Sequence, residues 1–247
     1  SFFSRGFFNF TETKLHYGLV TGITSAKAFS LLLSGMILLS LLCRAQGEWN
    51  NWRFGVQAGM NFNSGSPVPI TTSAMQITGG AASTSVSDSA GALLFYSHGY
   101  FLYNANNVLM PDGTGLKGGA GGAVQPVFAV PKLGDKLKYY LFTVGNQPVT
   151  WPAPLTGLYY SVIDMTMNGG LGGIVPGMKN IPVPGGDSAV SQLYATRHRN
   201  NKDVWLLVLH HGVVRKYLAY LITESGISNT PVTSTSGLVP SMNVLAG

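Results

Sequence analysis

Three shortages bound what this chain can be. One cysteine, Cys43, occurs in 247 residues, so disulfides and cysteine-based zinc sites are excluded for any product that begins after it. A domain without such staples relies on core burial, which about 200 residues can supply. Charge is scarce too, at 10% of residues. Arg5, Lys14, Lys27, Arg44 and Glu12 lie before residue 46, leaving 11 Lys and Arg against 8 Asp and Glu, a net of +3. Phosphate binding needs basic residues gathered on one face, and only Arg197, His198, Arg199 and Lys202 bunch at all, in what reads as a solvated turn. Nucleic acid is therefore not expected as a partner. The third shortage is helical periodicity, absent from nearly every stretch after residue 45. What is abundant, 32 Gly and 13 Pro in a chain that is 45% hydrophobic, suits a turn-rich β protein.

The one long apolar run lies near the start. Lys27 precedes AFSLLLSGMILLSLLC (28–43), and Arg44, Ala45 and Gln46 follow. A cation, a short apolar core and a small residue at its end are the three parts of a secretory signal, and the core is too short to span a membrane comfortably. Cleavage is expected between Ala45 and Gln46. An uncleaved anchor and a lipoprotein modified at Cys43 are the rival readings, the second opposed by bulky Leu42 just before the cysteine. Residues 1–26 show no clear periodicity and read as upstream or disordered material. The expected organisation is 1–26, a helical signal peptide at 27–45, and a β domain at 46–247. Membrane contact is then transient, through the signal peptide and the secretion machinery.

From residue 49 onward, short runs rich in aromatic and β-branched residues alternate with Gly, Asn, Ser and Pro punctuation. They predict strands at 52–56, 60–63, 82–86, 92–97, 100–104, 124–130, 137–144, 158–164, 190–196, 204–210 and 216–223. Two pairs resemble each other. KYYLFTV with GLYYSVIDMTMNGGLGGI is followed about 60 residues later by VWLLVLHHG with KYLAYLIT, a recurrence that points to stacked antiparallel sheets. SVSDSAGALLFYSHG (85–99) reads as a hairpin turning at Asp88 and Gly91. MPDGTGLKGGAGG (110–122) lacks the Lys-Ser or Lys-Thr and the helix of a phosphate loop, so it reads as a flexible connection.

Motifs of catalysis are missing. There is no G-x-S-x-G elbow and no H-E-x-x-H helix. A sialidase needs gathered arginines, yet only Arg53, Arg197, Arg199 and Arg215 follow residue 46, and the turn at Ser87–Gly91 misses the Asp-box spacing by one residue. Glycoside hydrolysis needs two carboxylates across a cleft, but most acids here lie in turn-like sequence. Asp164 closes the strand YYSVID, where capping its own turn is the simpler role. His210 and His211 are adjacent in a strand and point to opposite faces, so they cannot easily chelate one ion; a site combining His98, Asp164 and one of them is the alternative to ordinary strand-end histidines. No catalytic residue, metal or cofactor is expected. Trp151, in the Pro-rich loop QPVTWPAPLTG, is the candidate ligand-binding residue, since an aromatic on a stiff loop can stack on a sugar or a partner chain. Trp49, Trp52, Phe54, Tyr139, Phe142 and Trp205 read as core.

Taken in order, NNWRFGVQAGMNFNSGSPVPI, SVSDSAGALLFYSHG, MPDGTGLKG, AVPKLGDKLKYYLFTV, GLYYSVIDMTMNGGLGG and VWLLVLHHG with KYLAYLITESGIS resemble the amino-terminal domain of large secreted Bacteroidetes surface proteins. These are proteins with a gliding-motility-associated or type IX secretion sorting domain at the far carboxyl end. The resemblance covers essentially all of 49–232, departing from the family where GGAGGAVQP (118–126) replaces a Ser/Thr-rich stretch. It implies an all-β fold, part of a WD40-like or YVTN-like β-propeller, and display or release at the cell surface; it transfers no functional residues. About a dozen strands make roughly three four-stranded antiparallel blades, fewer than the 4 to 8 of a closed propeller, which predicts an open sheet edge after about residue 223. The expected function is an exported, non-catalytic binding or adhesion module for protein or glycan. Its competitors are the non-catalytic part of a polysaccharide-acting enzyme and a spacer for a distal adhesive domain.

Overall fold

The computed structural model describes residues 29–30, 33, 47–76, 82–118, 125–145, 157–210 and 216–235. Ser1–Ala45 and Gln46–Gly247 form separate compact units. In the first, Phe29, Ser30 and Leu33 are helical. Among the described residues no helix is long and apolar enough to cross a membrane.

The second unit is all-β and antiparallel. Its sheets are built from consecutive chain segments. The first contains β1 (Asn51–Phe54), β2 (Ala58–Asn61) and β3 (Val68–Ile70); the second, β4 (Thr84–Ser87), β5 (Leu93–Ser97) and β6 (Leu102–Asn104). The third contains β7 (Val127–Pro131), β8 (Lys138–Val144), β9 (Leu158–Asp164), β10 (Gly173–Ile174) and β11 (Ile181–Pro182). The fourth contains β12 (Ala189–Arg197), β13 (Val204–His210), β14 (Lys216–Thr223), β15 (Gly226–Ile227) and β16 (Val232–Ser234).

The recurrence in the sequence is a recurrence of topology. In the third sheet β8 and β9 form the centre, β10 folds back on the end of β9, and β11 pairs farther along it. In the fourth, β13 and β14 take the same places, with β15 and β16 pairing β14 in the same two ways. Each of the eleven predicted segments contains or overlaps a strand. The strands not predicted, β3, β10, β11, β15 and β16, are two or three residues long and contain Pro, Gly or few apolar residues, so they carry too little pattern to register. Two expectations change. The described residues form four sheets instead of three groups of four strands, and the chain at residue 223 is not an open edge, because β15 and β16 both pair with β14.

Alternation of side chains across each strand gives every sheet two faces, and the faces stack in chain order. One face of the third sheet, with Tyr140, Phe142, Val144, Leu158 and Val162, packs on Leu193, Leu206, Val208, Leu218, Tyr220 and Ile222 of the fourth. Its opposite face, with Val127, Leu141 and Ile163, packs on Phe95 and Leu102 of the second. Burying each large side chain of these layers contributes roughly 1.5–3 kcal/mol. The far face of the second sheet carries Tyr96 and Tyr103, stacked with ring centroids 5.2 Å apart, and meets Met75.

The glycine-rich stretch is ordered where it is described. Leu102 N–H donates to Gly113 O, Met110 N–H to Leu102 O and Gly118 N–H to Gly99 O, while Met110 and Leu116 are buried. It therefore runs back along β6 as an irregular outer rung of the second sheet, in place of the flexible connection expected. The glycines serve close backbone approach: a Cβ on Gly118 would stand 2.3 Å from Gly99 O.

The first strands of the sheets lie side by side in chain order, β1 against β4, β4 against β7, and β7 against β12. Side-chain hydroxyls of Ser83, Thr84 and Ser85 join them. Arg53 N–H donates to Ser85 Oγ at 2.8 Å, Ser83 Oγ donates to Arg53 O, and Ala129 N–H donates to Thr84 Oγ1 at 3.3 Å. A parallel bridge between Gln125 and Gln192 links the leading end of the third sheet to β12.

Candidate functional site

Strands β1, β4 and β7, the turn at Gly47–Trp49 and the β7–β8 turn line an open groove of about 950 Å³. The turn is held there because its glycine has no side chain. A Cβ on Gly47 would stand 2.3 Å from Gly91 N, so backbone lies on backbone and brings Glu48 and Trp49 beside the Asp88 hairpin.

Aromatic surface dominates the rim. Trp49 is 65% exposed, Trp52 51% and Phe54 42%. Trp52 Nε1–H donates to Trp49 O at 2.8 Å, and its ring tilts against Phe62 with centroids 5.1 Å apart. That bond satisfies the polar end of the indole and fixes the backbone that carries Trp49, which leaves the Trp49 ring as a platform in solvent. Leu137, at the β7–β8 turn, is also exposed.

Most polar groups of the groove are already engaged. Ser83, Thr84 and Ser85 bind neighbouring backbone, and Ser87 Oγ accepts from Asn51 Nδ2 at 3.1 Å. Asp88 Oδ1 accepts from the N–H groups of Ala90 and Ala92, each at 2.9 Å, the turn role that the sequence suggests. Tyr139 lines the inner wall; burial raises its pKa, and the charges of Asp88 and Glu48 raise it further.

Arg53 is buried between the first two sheets. Its side chain lies on Gly59, its guanidinium carbon is 5.9 Å from the Tyr96 ring centroid, and its buried Nε has no hydrogen-bond partner among the described residues. Desolvation lowers its pKa, with a smaller opposing effect from Tyr96. The ion pairs among the described residues are Lys138 with Asp135 at 2.8 Å and with Asp164 at 3.5 Å, and neither involves Arg53.

The residues singled out in the sequence separate into three groups. Trp151, the expected cleavage pair Ala45 and Gln46, His211 and Arg215 lie outside the described residues. Asp164 caps its turn, accepting from Thr166 N–H at 2.9 Å and Thr166 Oγ1–H at 2.7 Å; these bonds hold its pKa below the usual carboxylate range, with Lys138 reinforcing. His98 is buried against Phe101, and desolvation lowers its pKa. Among the described residues no three His, Cys, Asp or Glu side chains gather as a metal site.

Tyr139 and Phe142 are core as read, and Trp205 is half-buried. Trp49, Trp52 and Phe54 are not core. In NWRF the buried side of the strand is the other one: Asn51 and Arg53 face the second sheet, and Trp52 and Phe54 stand at the groove. A signal was present: TSVS is also polar on alternate positions, and its Ser85 and Ser87 match Arg53 and Asn51 across a polar seam.

No protein-family model, curated protein or solved structure matches the chain.

Proposed function

We propose that residues 46–247 form part of a WD40-like or YVTN-like β-propeller, exported and displayed or released at the cell surface as a non-catalytic module that binds protein or glycan. Four consecutive antiparallel sheets stacked face to face, with their first strands side by side, support the propeller reading. In such a ring the first strands surround the central channel. The signal-like segment at 27–45 and the resemblance to secreted Bacteroidetes surface proteins support export, with type IX secretion as the route that the resemblance implies.

The observation that carries the binding role is the exposed Trp49 ring, on a backbone fixed by Trp52, at the mouth of an aromatic groove. A flat ring held in solvent can stack on the apolar face of a sugar or on a partner side chain at about 1 kcal/mol or more. The test is a glycan array and a surface-protein pull-down with the wild-type chain and Trp49→Ala. Binding that drops about fivefold or more in the variant is the expected result. No ligand in either assay would remove the binding role, and undiminished binding by Trp49→Ala would remove the groove from it.

One observation favours an enzyme instead. Glu48 and Asp88 both line the groove, and glycoside hydrolysis needs two carboxylates across such a cleft. Release of reducing ends from polysaccharide by the wild type, lost in Glu48→Gln, would establish it; Asp88 already spends one oxygen on its turn, which weighs against it.

A further inference from the structure

The groove along β1, β4 and β7 has few polar groups left to offer a ligand. Ser83, Thr84, Ser85 and Ser87 are engaged with neighbouring backbone or with Asn51, and Asp88 Oδ1 holds its own turn. What stays free is a small set. Among the described residues, the Glu48 carboxylate and Asp88 Oδ2 have no hydrogen-bond or ion-pair partner. Tyr139 joins them: it is 8% exposed, its ring stands edge-on to Phe95 with centroids 5.2 Å apart, and its hydroxyl on the groove lining has no hydrogen-bond partner among the described residues. A phenol so buried normally finds one. Backbone packing gathers the set, because Gly47 lies on Ala90 and Gly91 and so holds Glu48 beside the Asp88 hairpin. Burial first, and then the charges of Asp88 and Glu48, raise the Tyr139 pKa, so the phenol lies within the field of both and keeps its proton at neutral pH. The remaining wall is apolar, with Val86, Leu94, Phe128 and Met165.

We propose that the groove takes an arginine or lysine side chain from an extended segment of a partner protein, its cationic head on Glu48, Asp88 and the Tyr139 hydroxyl and its stem along Val86, Leu94 and Met165. This rests on the binding role proposed above and selects protein over glycan. A sugar carries hydroxyls around its rim, and each loses water on entering and needs a partner. A groove whose serine and threonine hydroxyls are already bonded meets that need poorly. A long basic side chain makes the opposite demand, with apolar contact along its methylenes and acceptors at one end only. Carboxylates give that end charge-assisted hydrogen bonds, and the exposed face of Trp49 attracts the same cation. The charge balance agrees: residues 46–247 carry a net of +3, so two unpaired acids in one groove run against the sign of the chain around them. The cations on the lining do not pair with these acids. The Arg53 guanidinium lies at Tyr96, on the opposite face of β5 from Phe95 and Tyr139, and Lys136 is exposed at the β7–β8 turn without an ion pair among the described residues. A bare metal ion fits less well, since among the described residues no three His, Cys, Asp or Glu side chains gather.

The test is the binding of acetylated, amidated pentapeptide pools to the purified chain, each pool with randomised flanks and a fixed central arginine, lysine, citrulline, leucine or glutamate. Citrulline keeps the shape of arginine and removes its charge. The arginine and lysine pools are expected to bind about fivefold or more tighter than the citrulline and leucine pools, with the glutamate pool weakest and the preference shrinking as salt is raised. Glu48→Gln and Asp88→Asn keep side-chain size, and the asparagine keeps an oxygen for its turn; each should remove most of the preference for the basic pools. Tyr139→Phe keeps the contact with Phe95 and should weaken binding about threefold, whereas Lys136→Gln should leave it unchanged or tighter. Circular dichroism confirms that each variant is folded. No preference for the basic pools over citrulline in the wild type would overturn the proposal, as would a preference that survives Glu48→Gln and Asp88→Asn combined. A glycan held by the wild type and lost in Trp49→Ala, with no preference among the peptides, would keep the binding role of the groove and overturn this assignment of its ligand. Basic peptides that are lost in Glu48→Gln and held by Trp49→Ala would do the reverse, so the two readings can fail separately.

Discussion

Tyr220 offers a quantitative probe of how the third and fourth sheets are joined. It is fully buried on β14, and its hydroxyl donates to Pro184 O across the interface at 3.0 Å. Burial, with the charge of Asp187 adding to it, pushes the phenol up to about 12 from 10.0. The phenol must stay protonated to remain folded in place, so a raised folded value contributes stability that is intact below pH 10 and is lost as pH rises through about 12. At 1.36 kcal/mol per pKa unit, the full loss is about 2.7 kcal/mol, and roughly half has occurred by pH 11. Tyr220→Phe removes the titrating group and the hydrogen bond together. At pH 8 the variant should be about 1 kcal/mol less stable than wild type, the net value of one such bond with its acceptor left buried. Near pH 11 the curves should meet, and above it the variant should be the more stable of the two. Urea unfolding followed by circular dichroism at pH 8, 10, 11 and 11.5 measures this. Tyr103, Tyr139 and Tyr140 also have raised values, but both proteins contain them, so they cancel in the difference. Parallel stability curves for the two proteins between pH 9 and 11.5 would refute the burial argument, and a variant more stable at pH 8 would refute the hydrogen bond.

Phe142, fully buried and with ring centroids 6.0 Å from Tyr140 and 6.3 Å from Tyr160, fills the same interface; Phe142→Ala should cost about 3–5 kcal/mol in urea unfolding. Gly118→Ala places a methyl group against the Gly99 backbone and should destabilise by about 2 kcal/mol or more, whereas Ala at Gly115, whose Cβ meets nothing within 4 Å, should cost only the about 1–2 kcal/mol of its positive φ. Arg53→Met keeps the packing on Gly59 and removes a buried cation that has no carboxylate partner among the described residues, so thermal and urea stability should be unchanged or about 1 kcal/mol higher. A loss above about 2 kcal/mol would mean that the guanidinium has a compensating partner.

The central strands of the third and fourth sheets were legible because both faces of each are apolar or nearly so. A run such as KYYLFTV or VWLLVLH has one plausible physical home, a strand covered on at least one side. The rungs at Gly173–Ile174 and Gly226–Ile227 were not, since two residues define no period and their place is set by the length of β9 or β14 already present to receive them. The glycine-rich loop misled for a related reason. Its composition predicts freedom, yet its glycines allow backbone to lie on backbone and so fasten it along β6.

The site was illegible for a stronger reason, which lies in how an alternating strand is read. In NWRF, period two establishes that Trp52 and Phe54 share a face and that Asn51 and Arg53 share the other; it cannot say which is inside. Hydrophobicity favours the aromatic face by several kcal/mol when only one sheet is considered. The second sheet reverses the choice, because the seam that it offers is made of Ser85, Ser87 and Gly91 O, groups that Asn51 and the Arg53 backbone can satisfy and aromatic rings cannot. Leaving those hydroxyls and that carbonyl buried against Trp52 and Phe54 would forfeit about 1–3 kcal/mol for each unsatisfied group, enough to offset the burial gained. The polar pairing of two neighbouring sheets thus turns the aromatics of β1 outward, into the groove.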